Sequence, residues 1–259
     1  MIHIDPTATD TERASVLYRN VLSEGTLAWS SETADGYAAN ALGPQTYDSW
    51  TPSAVPATLS VTLGAPVTCD CAAIIAHTLG SAGATVEVQH FTGGIWVTAQ
   101  SVTPPDDRDI VMIFGAVSAA QWRIRVIGAV ASIGIVMIGP RLLIPGGTQA
   151  GYEPLNLALD VELSPSITIR GQYVGAYVKQ MGAGTPIALA AQEREWVQTE
   201  AVPFIAHYNA GRPFVWMSCP DMLPEDGHYC WRAGNTLSAS FGPGAMWADM
   251  SMQVSAYVS

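Results

Sequence analysis

The chain has 259 residues, of which 49% are hydrophobic and only 13% charged, with a formal net charge of -11 and a single lysine, Lys179. This balance excludes the clustered Lys and Arg on which nucleic-acid affinity depends, and the hydrophobic content excludes a disordered chain. With 24 Gly and 17 Pro the composition is that of a turn-rich β protein, long enough for two modest domains.

Residues 1–19 read as an N-terminal arm, extended at first and then weakly helical from Thr11 to Leu22, where Val16, Leu17 and Val21 fall near one face. Such an arm either grips a neighbouring subunit or lies on its own domain. It lacks a basic segment followed by an apolar one, so no secretory leader is expected.

From Asn40 to Gly64 a turn-rich loop ending on Trp50 feeds a strand in which Leu59, Val61 and Leu63 alternate with Ser60 and Thr62, the period of a half-buried strand. Cys71 to Gly80 is a second, apolar strand, and Val86 and Val88 alternate with polar partners between Ala84 and His90. Gly93 and Gly94 make a hairpin turn before Trp96, because paired glycines accept the positive φ that such turns need. After a polar loop from Pro104 to Asp109, strands follow at Ile110–Phe114, Gln121–Val126 and Ile133–Ile138. The longest uncharged apolar run, between Arg125 and Arg141, is shorter than the roughly 20 residues a membrane helix needs, so no membrane partner is expected.

Residues 145–151 form the clear linker, since Pro145 and the paired Gly146 and Gly147 punctuate the chain and no apolar period crosses them. Beyond it Leu155, Leu157, Leu159, Val161 and Leu163 alternate with polar or small residues, a clean amphipathic strand. Ile167 to Lys179 continues as a strand or pair, with Gly171 or Gly175 marking a bend. A short helix is predicted at Val202–Tyr208, with Pro203 in its first turn and Gly211 as its stop. Arg212 to Met217 enters the core, Asp221 to Gly227 is an acidic turn, and His228 to Arg232 returns. Met246 to Val258 places Met250, Met252, Val254 and Ala256 on one face of a terminal strand. The expected fold class is all-β: one β-sandwich over 20–144 and a second over 152–259 carrying one short helix.

The first half resembles a discoidin (F5/8 type C, galactose-binding-like) domain. Asn20, Ser30, Ser31, Ala38, Asn40, Ala41, Thr46 and Trp50 fit the opening segment of that family, the hairpin ending on Trp96 its Gly-x-Trp element, and Arg123 and Arg125 its late Arg-rich strand. The likeness implies a jelly roll over residues 20–144. Gly43 and Pro44 follow Leu42 where the family commonly has Asp-Gly, and the missing carboxylate weakens any calcium or sugar site in that loop. The second half looks like the C-terminal β domain of a phage tail-tip protein, on a helix, the strand Gly211-x-Pro213-Phe214-x-Trp216, an acidic turn, Tyr229-x-Trp231 and a long terminal strand. Distal tail proteins of this type form rings and join a ring domain to an accessory domain that is often galactose-binding-like; here the accessory domain comes first.

Little in the sequence points to chemistry. No Gly-x-Ser-x-Gly nucleophile motif and no phosphate loop occurs, so no catalytic residue, cofactor or metal ligand is assigned. Cys69, Cys71, Cys219 and Cys230 fit no zinc spacing; they read as small buried hydrophobes, or as a bridge between Cys219 and Cys230, and Cys69 and Cys71 would share one face of a strand. Asp221, Glu225, Asp226 and His228 form the most suggestive polar cluster, a cation site or a pair of carboxylates for acid-base work, or else a solvated hairpin turn. Tyr37, Tyr47 and Trp50 are the candidate carbohydrate or partner contacts, because aromatic rings among polar loop residues stack on sugars; as a jelly-roll residue Trp50 would equally serve as an internal anchor, as would Trp96.

The resemblance implies a non-enzymatic structural protein of a tailed phage virion, made in the host cytoplasm. It would form a homo-oligomeric ring at the tail tip, between the tube and the hub or fibres. Sparse surface charge agrees with faces covered by other subunits. The alternative is a carbohydrate-binding module that attaches to host glycans.

Overall fold

A computed structural model of the chain describes residues 1–258. The N-terminal segment, expected as an arm, contributes one strand to each half of the molecule. β1 (Ile2–Ile4) pairs in parallel with residues 111–113, and β2 (Ser15–Leu17) pairs antiparallel with residues 215–217 of the second sheet. The helical pattern read from Thr11 is overruled: Val16 and Leu17 are buried in different cores on opposite faces of an extended strand. Each strand has three residues, too few for a period to show.

The jelly roll uses β3 (Thr26–Trp29), β4 (Ala57–His77), β5 (Thr85–Thr92), β6 (Ile95–Val102), β7 (Ile110–Ile127) and β8 (Ile133–Gly139). The two strands read at Leu59–Leu63 and from Cys71 are one strand, β4, which bends across the sandwich. Its first part pairs with β3 and with residues 121–126 of β7, its last part with β8 and residues 110–113. Thus β3, β4, β7, β5 and β6 make a front layer, and β8, β4, β7 and β1 a back layer. Trp50, Leu59, Trp122, Ile74 and Phe114 fill the space between them. A register shift between Cys69 and Cys71 inverts the side-chain alternation. Cys69 therefore lies in this core and Cys71 on the opposite face, so the two do not share a face.

The second sheet runs in the order β10, β11, β15, β13, β12, β2, β9, with β14 beside β15. Its strands are β9 (Leu142–Leu143), β10 (Leu159–Ile167), β11 (Tyr173–Glu193), β12 (Phe214–Met217), β13 (Gly227–Arg232), β14 (Ala239–Phe241) and β15 (Trp247–Ala256). One face packs Val16, Ile187, Phe214, Trp216 and Met252 against Phe204 and Tyr208. Those two belong to α3 (Val202–Asn209), the helix predicted from the sequence; α1 (Leu79–Ala82) and α2 (Arg194–Trp196) precede it in the chain. A π-turn at Val197–Ala201 links α2 to α3. Pro203 lacks an N–H and would break a regular ladder, so it falls in the first turn after the π segment.

The other face of this sheet closes on the back layer of the jelly roll. Leu17, Val215, Met217 and Tyr229 meet Ile75, Val111, Ile113 and Met137 in a buried apolar seam, where each large aliphatic side chain contributes roughly 1.5–3 kcal/mol. The halves are therefore joined across a face and not only through residues 145–151. That segment itself is held, with the Gly146 N–H donating to Gln192 Oε1 at 3.1 Å and the Gln149 N–H to the Ala188 carbonyl at 2.9 Å.

Candidate functional site

The loop that holds the expected contacts is braced at several points. The Ala38 N–H donates to Glu32 Oε2 at 2.8 Å, and the Asn40 side chain donates to the Ser49 carbonyl at 3.1 Å. Trp50 exchanges backbone hydrogen bonds with Ile133, and its indole N–H donates to the Ser31 carbonyl at 3.0 Å. With 0% of its surface exposed, Trp50 cannot stack on a ligand; its position is the anchor of the loop. Tyr37 and Tyr47 are 54% and 82% exposed, so two phenol rings project from a rigid frame. Trp96 is occupied as well, with the Arg123 guanidinium 4.1 Å above its ring.

The acidic cluster disperses. Asp226 is buried and accepts from the Tyr152 hydroxyl at 2.7 Å and the Leu155 N–H at 2.8 Å. Glu225 pairs with Arg108 at 2.8 Å, while Asp221 lies exposed. His228 Nε2 stands 3.6 Å from Asp226, and burial lowers its pKa. Asp106 pairs with Arg108, and Asp107 accepts from the Ser81 N–H. Among the described residues no three His, Cys, Asp or Glu side chains come together as a metal site. Burial pushes the Cys69 thiol up to about 12 and also raises Cys71 and Cys230. All four cysteines are free. Of the two readings of Cys219 and Cys230, the bridge is therefore the one not formed.

A cleft of about 690 Å³ opens where the jelly roll meets α3, with Ile135, Met137 and Tyr229 in its lining beside Arg19, His207 and Arg212. Junctions of this kind suit small ligands. Here most of the polar groups serve the fold: Arg19 holds Glu24 through two bonds of 2.6 Å, and the His207 Nε2–H donates to the Pro213 carbonyl at 2.8 Å. Separate parts of the chain build this cleft, and no local pattern in the sequence announces it.

The most unusual surface is the β10–β11 hairpin. Sequence alternation places Leu159, Val161 and Leu163 on one face, opposite Ala183 and continuous with the buried row of Ile187 and Leu189. That pattern predicts burial, yet all three are exposed, as are Ile167, Ile169, Tyr173, Val174, Tyr177 and Val178. From residue 165 to residue 174 every side chain is exposed, so the tip stands free of the body. At the base of the hairpin a trough of about 1100 Å³ crosses β10, β11 and β15, with Asp160, Glu162, Gly182, Gly184, Trp231 and Tyr257 in its lining. The sequence gives this strand and its apolar face; it cannot say that the face is uncovered.

No protein-family model and no curated protein matches the chain. Three solved structures illustrate what it is similar to. The family 32 carbohydrate-binding module of C. perfringens NanJ, in complex with galactose, is 21% identical with a TM-score of 0.39, covering 48% of this chain and 98% of that one. Chitosan-binding module 2 of the chitosanase/glucanase from Paenibacillus sp. IK-5, in complex with chitotriose, is 21% identical with a TM-score of 0.38, covering 46% and 98%. The family 32 module of AlyQ, in complex with 4,5-unsaturated mannuronic acid, is 16% identical with a TM-score of 0.39, covering 47% and 96%.

Proposed function

We propose that this protein is a non-enzymatic structural subunit that assembles with further copies of itself. The observation that carries this reading is the bare apolar hairpin. Within 159–178 it holds nine of the 22 exposed large hydrophobic side chains among the described residues. An apolar ladder left in water on an edge strand invites association. At on the order of 100 Å² per half-exposed side chain, the hairpin alone matches the roughly 800 Å² per partner of a stable interface. The setting proposed, a ring at the tail tip of a tailed phage virion between tube and hub or fibres, rests on the sequence resemblance of residues 152–259. Negative-stain microscopy of the purified protein tests the reading: closed rings are expected, and uniform monomers at micromolar concentration contradict it.

A second reading, attachment to host glycans, is favoured by Tyr37 and Tyr47 standing exposed on a braced loop, since aromatic faces stack on sugar rings. Titration with galactose, chitotriose and uronic-acid oligosaccharides checks it. Binding that is lost in Tyr37→Ala or Tyr47→Ala supports attachment; no binding to any of them leaves the loop as a surface for neighbouring subunits.

A further inference from the structure

We infer that the Arg170 tip of the hairpin docks into the trough at the base of the same hairpin in a neighbouring copy. This deepens the assembly reading and rests on it.

The tip and the trough are opposites in charge. Arg170 is the only charged residue between Leu163 and Val178, in a chain whose net charge is -11. Among the described residues it makes no ion pair and no side-chain hydrogen bond. The trough brings Glu153, Asp160 and Glu162 together, with no cationic side chain among the described residues of its lining. Lys179 reaches Glu162 at 2.7 Å, which leaves Asp160 and Glu153 without an ion-pair partner among the described residues. A guanidinium takes a carboxylate through paired N–H groups and lies flat on aromatic rings. Asp160 offers the first, and Trp231, 40% exposed, the second.

The trough floor also leaves room at Gly182, whereas Gly184 faces the Val254 carbonyl, 3.1 Å from where a Cβ would stand. Gly182 and Gly184 lie in its lining, and a Cβ at Gly182 would meet nothing within 4 Å. Neighbours within the chain therefore do not require a glycine at 182. Close approach of another backbone is one of the uses of a glycine inside a strand, beside bulges and bends. Ile169 and Tyr173, exposed beside Arg170, are the side chains that would cover Trp231 and Tyr257. The hairpin projects from the trough of its own copy, so the contact pairs two different patches. Contacts of this type run head to tail and give a ring when the rotation closes.

Charge reversal in the full-length protein tests this by sedimentation velocity, with circular dichroism confirming that each variant is folded. Arg170→Glu and Asp160→Arg, each alone, should weaken self-association by at least about tenfold. Equimolar mixing of the two variants should restore it, because each defective patch then meets a complementary one in trans. Assembly of both variants at wild-type strength, or no recovery on mixing, overturns the tip-to-trough contact while the assembly reading stands. A wild-type protein that stays monomeric overturns both.

Discussion

The Tyr152 hydroxyl donates to the buried Asp226 carboxylate at 2.7 Å and accepts from the Trp216 indole N–H at 2.9 Å. One side chain just past the linker thus ties the acidic turn to a central strand. Removing the hydroxyl strands a buried carboxylate oxygen and a buried indole N–H, each costly to leave unpaired. Tyr152→Phe should lose about 1–3 kcal/mol of stability in urea denaturation. A midpoint equal to wild type would show that water replaces the hydroxyl at no cost.

Trp50 and the two loop tyrosines should separate cleanly. Trp50→Ala opens a cavity in the jelly-roll core and should cost about 3–5 kcal/mol, whereas Tyr37→Ala and Tyr47→Ala should stay within about 0.5 kcal/mol of wild type. Thermal melts decide between them. A Trp50→Ala protein that melts with wild type would mean that the indole is not the anchor of the loop.

Asp109 gives the protein a pH dependence of known sign. Burial raises its pKa to about 6, offset in part by the Ala76 N–H and the nearby amino terminus. The native state therefore holds a proton that the unfolded chain, with an ordinary carboxylate near 4, gives up earlier. Its contribution is complete below the unfolded value and is lost as pH rises through about 6. Asp109→Asn retains an acceptor for the Ala76 N–H and cannot ionise. It should be about 2–3 kcal/mol more stable than wild type at pH 7.5 than it is at pH 4. Equal differences at the two pH values, measured by denaturant titration, would count against a buried, titrating Asp109.

Much of the fold is legible in the residues because period and burial agree. Leu59 and Val61, Val86 and Val88, Trp122 and Ile124, and the terminal row of Met250, Met252 and Val254 alternate in sequence and are buried in the structure. α3 falls where Pro203 and Gly211 bracket it. What escapes is set by long-range geometry. β1 and β2 are too short to carry a period, and the shift at Asp70 reverses parity between Cys69 and Cys71. Of the candidate contacts, Tyr37 and Tyr47 reach the surface, but Trp50 is sealed, since ring type alone does not tell an anchor from a platform. The hairpin is the instructive case: Leu159, Val161 and Leu163 carry the pattern of a buried face, and only the structure shows that among the described residues nothing covers it.

The proposal is that the apolar hairpin, through its exposed tip at Ile167, Ile169, Tyr173, Val174 and Tyr177, is covered by a neighbouring copy. Sedimentation velocity of the full chain against one in which residues 164–177 are replaced by a short Asn-Gly turn decides it. The full chain should assemble at micromolar concentration, and the shortened chain should sediment as a folded monomer with an unchanged melting temperature. A full chain that stays monomeric, or a shortened chain that assembles as strongly as the full one, would show that the hairpin does not carry assembly.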